Sequence, residues 1–91
     1  MMNYDFQPGD RIRYIGGEAN WYLEIGDLGT FLDYYKENPN VVLIEWDREA
    51  ETFHNNGGLG RNYHCWNVVI NEIELVERIY SVGPIDVGDL L

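Results

Sequence analysis

Ninety-one residues suffice for one domain and leave no room for a second independent core. Sixteen Asp and Glu against six Lys and Arg give a net charge of -10, a field that repels phosphate backbones and argues against direct nucleic-acid binding. Hydrophobic residues at 45% and aromatics at 14% argue for a packed core rather than disorder, and a single cysteine excludes an intramolecular disulfide.

Met1 to Phe6 has neither the basic nor the apolar region of a signal peptide, and no window approaches the roughly 18 apolar residues of a membrane span. A cytoplasmic protein without a membrane role is expected. After the turn signal Pro8-Gly9-Asp10, Arg11 to Ile15 alternates polar and apolar, as a half-buried strand does. Gly16 to Asp27 holds Trp21, Tyr22, Leu23 and Ile25 without a clean period, and reads as a long folded-back loop. Gly26-Asp27-Leu28-Gly29 turns the chain into a second strand over Thr30 to Tyr35, rich in aromatic and β-branched residues. Lys36 to Asn40 reverses it.

Val41 to Trp46 is the most apolar run, too short for a typical helix, and predicts a strand in the middle of the sheet with most of both faces covered. A charged excursion over Asp47 to Glu51 follows. Asn55-Asn56-Gly57-Gly58-Leu59-Gly60 is then the least regular loop, its glycines permitting positive φ. Tyr63 to Val69 resumes β character, Asn71-Glu72 is a short turn, and Ile73 to Val76 is a last strand. Five strands with a long first loop and tight later turns predict an all-β domain, its sheet closed so as to remove exposed edges. Residues 78–91 form a C-terminal tail.

Pro8-Gly9-Asp10-Arg11-Ile12-Arg13-Tyr14, Gly26-Asp27-Leu28-Gly29-Thr30 and Val42-Leu43-Ile44-Glu45-Trp46-Asp47 resemble the opening of SH3-like barrels of the KOW and Tudor kind. The stretch from His54-Asn55-Asn56-Gly57-Gly58 through Cys65-Trp66 to Glu74-Leu75-Val76 is similar to small uncharacterised SH3-like proteins encoded by bacteriophages. Together these segments cover residues 8–77 and imply a five-stranded SH3-like small barrel. The KOW resemblance implies contact with RNA polymerase, ribosome or nucleic acid, and the scarcity of basic residues here departs from it. The Tudor resemblance implies an aromatic cage for a methylated cation.

His54, His64 and Cys65 are metal-capable types, but adjacent strand residues face opposite ways, and no Cys-x-x-Cys pair supplies further ligands. A Cys65–His54 nucleophilic pair lacks an orienting third group in the sequence. Gly57 to Arg61 lacks both the Lys-Ser/Thr of a P-loop and the third glycine of a dinucleotide fingerprint. No catalytic residue, metal or cofactor is therefore assigned.

The aromatics Trp21, Tyr22, Trp46 and Trp66 are of the types enriched at binding hot spots, and with Glu24 or Asp27 nearby could hold a cationic group. Acidity is spread along the chain after a net-neutral first 17 residues, with Asp27, Asp33, Glu37, Glu45, Asp47, Glu49 and Glu51 available to a basic partner. The expected function is a non-enzymatic protein-interaction module, of the phage accessory kind, that binds and modulates a host protein. Its binding residues would be Trp21, Tyr22, Trp46, Trp66, Asp27, Glu45 and Asp47, with Gly57 and Gly58 approaching the partner's backbone. The alternatives are an acidic nucleic-acid mimic that inhibits a DNA- or RNA-binding enzyme, and a small-molecule binder or enzyme using His54, His64 and Cys65. Pairing with a second copy is left open.

Overall fold

The computed structural model describes residues 6–17 and 21–78. Five strands, β1 (Arg11–Tyr14), β2 (Leu28–Tyr34), β3 (Val41–Trp46), β4 (Val68–Val69) and β5 (Ile73–Glu77), make one antiparallel sheet in the order β4-β3-β2-β1-β5. No α-helix occurs among the described residues; the short helical pieces at Asn56–Gly58 and Ile70–Glu72 are 3-10 turns. The tail expected over 78–91 lies, apart from Arg78, outside the described residues.

Alternation dictates which face each strand buries. On β1, Ile12 and Tyr14 are fully enclosed while Arg11 and Arg13 turn outward. Arg13 then meets Glu74, its direct cross-strand neighbour on β5, at 2.7 Å. On β3, Val42, Ile44 and Trp46 are buried, and Val41, Leu43 and Glu45 are half-buried. Both faces are thus largely covered, as expected, but β2 rather than β3 is the central strand.

β2 begins earlier than its β-branched residues suggest. Gly29 lets it pass close to β3, since a Cβ there would lie 2.9 Å from both the Glu45 carbonyl oxygen and Trp46 Cε3. Phe31, Trp46 and Tyr14 fill the middle of the core, with Tyr14 set edge-on to Trp46 at 6.1 Å between ring centroids.

Two expectations are corrected. The sheet is not closed: β4 and β5 are its two ends, and no ladder joins them. The Ile70–Glu72 turn crosses between them instead, its Glu72 carbonyl accepting the Ile15 N–H at 2.8 Å and its carboxylate the Val69 N–H at 3.1 Å. Nor is Tyr63 to Val69 one strand. Tyr63 sits at φ 68, a left-handed conformation that extended backbone cannot accommodate, and only Val68–Val69 has strand pairing, with Cys65 adding isolated bridges to Glu45 and His54.

Candidate binding groove

The loop from Gly16 to Asp27 is fastened to β1 before any side chain is considered. Tyr14 N–H donates to the Asp27 carbonyl and Gly26 N–H to the Tyr14 carbonyl, both at 2.8 Å. Gly26, at φ 104, takes a conformation that side chains resist. Asp27 Oδ2 accepts the Glu24 N–H at 2.9 Å, closing the turn. Arg48, two residues past the end of β3, donates through Nη2 to the same Asp27 oxygen at 2.8 Å and to the Tyr22 carbonyl at 2.9 Å. Its partnership with Asp27 raises the Arg48 pKa above the ordinary value.

That clamp sets Tyr22 against Trp66, with ring centroids 4.4 Å apart and planes inclined by 42°. Phe53 stacks behind Trp66 at 5.8 Å and carries the Arg48 guanidinium 5.7 Å above its own ring. Trp66 is half-buried, leaning on the core, while Tyr22 is 44% exposed. Together with Val41, Asn67, Val68, Val69 and Glu72 they line a groove of about 230 Å³. Its polar residues are Asn67, whose Oδ1 is enclosed without a partner, and the buried Glu72. Gly17 makes the buried Glu72 position available, because a Cβ at Gly17 would collide with that carboxylate.

The residues expected to bind are thus dispersed. Tyr22 and Trp66 come together, with Asp27 one arginine away. Trp46 is fully enclosed, and its Nε1–H donates to the Trp66 carbonyl at 2.8 Å, so it supports the groove from inside the core. Trp21 is 87% exposed beside Tyr22 in sequence. Asp47 is paired with Arg11 at 2.5 Å, which holds its carboxyl below the ordinary pKa, and Glu45 is paired with Arg61 at 2.6 Å. Gly57 and Gly58, at φ 66 and 102, lie in the 3-10 turn that Asn55 closes by accepting the Gly58 N–H.

Phe53, Arg48, Asn67 and Glu72 were not singled out from sequence, and only Glu72, standing between apolar Ile70 and Ile73, carries a local hint of burial. The metal-capable residues are engaged separately. His64 Nδ1 donates to the Trp46 carbonyl at 2.8 Å, and His54 Nδ1 accepts the Asn56 N–H at 3.1 Å. Cys65 is fully buried, and burial pushes its thiol pKa up. No three His, Cys, Asp or Glu side chains gather as a metal site among the described residues, and no described helix is long and apolar enough to cross a membrane.

Comparison with protein-family models, with curated proteins and with solved structures found no match for this chain.

Proposed function

We propose that the protein is a non-enzymatic interaction module, built as a small SH3-like β domain, that binds a basic protein through the Tyr22–Trp66 groove. The observation that carries this reading is the half-exposed aromatic pair, clamped by Arg48 in a groove that Asn67 and Glu72 also line. Such a groove favours a ligand that brings positive charge to the aromatic faces, and the net charge of -10 steers a basic surface toward it. A strand order in which β1 pairs with both β2 and β5 supports the SH3-like reading. Phage accessory proteins that modulate a host protein in the cytoplasm are the setting in which the sequence resemblance puts such a module.

The acidic-mimic reading draws less support. Of its seven carboxylates, Asp27, Glu45 and Asp47 are already bound to arginines, while Asp33, Glu37, Glu49 and Glu51 remain exposed.

Titration of a lysine-rich peptide into the wild type and Tyr22→Ala, followed by fluorescence at low and high salt, tests the groove. Tyr22→Ala should weaken binding about tenfold or more while leaving the circular dichroism unchanged. Equal affinity in a folded variant would reject the groove, and competition between DNA and this protein for a nucleic-acid-binding target would favour mimicry.

A further inference from the structure

The backbone at the groove floor carries a second recognition feature. Val41–Val69, Val42–Val68 and the Glu45–Cys65 bridge share one antiparallel register; extended across the two unpaired residues between them, Trp66 and Asn67, it puts Leu43 opposite Asn67. Opposed residues in such a ladder alternate between pairs that exchange hydrogen bonds and pairs whose N–H and C=O turn away from one another. Trp46 N–H bonds to the His64 carbonyl at 2.7 Å and Trp66 N–H to the Ile44 carbonyl at 3.2 Å, so Glu45–Cys65 is a pair of the second kind.

The outward groups of Cys65 are taken by His54, in bonds of 2.8 and 2.9 Å. Val69, four residues on, turns outward in the same way, and Glu72 Oε1 accepts its N–H. Asn67, midway between them, is the remaining outward position. Its backbone N–H and C=O have no partner among the described residues, and its Oδ1 is enclosed without one. His54 and Glu72 thus close the edge on either side of a gap one residue wide.

We infer that Asn67 receives an extended segment of the basic partner as a single antiparallel β-bridge. A donor and an acceptor offered together by one residue match a peptide backbone rather than a free amine. In the bound segment, the residues flanking the bridged one turn to the side of Trp66 and Val68, which neighbour Asn67 in the chain. A lysine or arginine at a flanking position therefore enters the Tyr22–Trp66 groove, where Glu72 provides the opposite charge. The gap's width limits the contact to one bridge and keeps the edge from templating a longer sheet. This inference rests on the groove reading and adds to it the backbone form of the partner.

The test is an NMR titration of the full chain with a capped Thr-Lys-Val-Lys-Thr peptide and with its depsipeptide, in which an ester oxygen replaces the valine N–H. The Asn67 amide should shift on binding and exchange more slowly with solvent, and the depsipeptide should bind about fivefold more weakly for the one hydrogen bond lost. Equal binding of the two peptides, with Tyr22→Ala weakening both, would overturn the bridge and leave the groove standing. No binding of either peptide, or binding indifferent to Tyr22→Ala, would overturn the groove and the bridge with it.

Discussion

Arg48 joins the Tyr22 carbonyl to the Asp27 carboxylate through one nitrogen, Nη2, at 2.9 and 2.8 Å. An ion pair this exposed contributes little to global stability, because water screens it and long side chains lose freedom in forming it. Its effect is local: it fixes the one loop carbonyl from which Tyr22 projects onto Trp66. Arg48→Ala should therefore lower stability by only about 1 kcal/mol while weakening peptide binding at the groove as much as Tyr22→Ala does. Thermal unfolding and the same fluorescence titration measure the two effects, and a variant that binds normally would separate the clamp from the groove.

Gly60 has an ordinary backbone conformation, so its need for glycine is purely steric. A Cβ there would stand 2.5 Å from Cys65 Sγ and 3.1 Å from Leu32 Cδ1. Gly60→Ala should cost about 1–3 kcal/mol, as overpacking in a core does. Adding Cys65→Ala should return part of that loss, although Cys65→Ala alone destabilises. A double-mutant cycle in denaturant reads the coupling, and strict additivity would mean that the backbone absorbs the clash.

Asp10 is 2% exposed and meets Arg78 Nη2 at 2.8 Å. Burial works to raise its pKa, but the Arg78 hydrogen bond and charge and the Gln7 N–H together outweigh it and leave the pKa below the ordinary 3.8. A group with a depressed folded-state pKa adds stability that is complete above its unfolded value and is lost as pH falls through the folded one. The Asp10 contribution should thus be constant near neutrality and decline below about pH 3.8. Asp10→Asn should be less stable than the wild type at pH 7, and the difference should shrink on acidification through that range. A gap of constant size would assign the effect to packing.

Tyr63 holds φ 68 with its side chain 51% exposed, a conformation that costs a bulky residue roughly 1–2 kcal/mol. Tyr63→Gly should relieve that strain and leave stability unchanged or higher by up to about 1 kcal/mol. A marked loss in chemical denaturation would mean that the ring makes a compensating contact.

The strands legible in the sequence were those with strong local patterns. Arg11 to Tyr14 alternates, and Val41 to Trp46 is continuously apolar and β-branched, so each carries its conformation in its own residues. The stretch from Tyr63 to Val69 has the same composition, yet the left-handed Tyr63 and the bridges of Cys65 break it, and both depend on chain segments brought from elsewhere. At the groove, Tyr22 and Trp66 stood out by residue type. Arg48, Phe53 and Asn67 did not, because each gains its role from a neighbour 13 to 26 residues away.

Length, a charge of -10, a single cysteine and the periodicities of the strands determined by themselves an acidic all-β domain without an internal disulfide. Only the tertiary structure decided which aromatics are core and which are surface: Trp46 is sealed beneath the sheet, and Trp66, joined to it by one hydrogen bond, reaches the groove. It likewise decided that acids available in the sequence were to be spent on arginines, as Asp47 on Arg11 and Glu45 on Arg61. The physical reason is the same for both. Burial and charge pairing are properties of neighbours in space, and an open antiparallel sheet brings those neighbours together from distant parts of the chain.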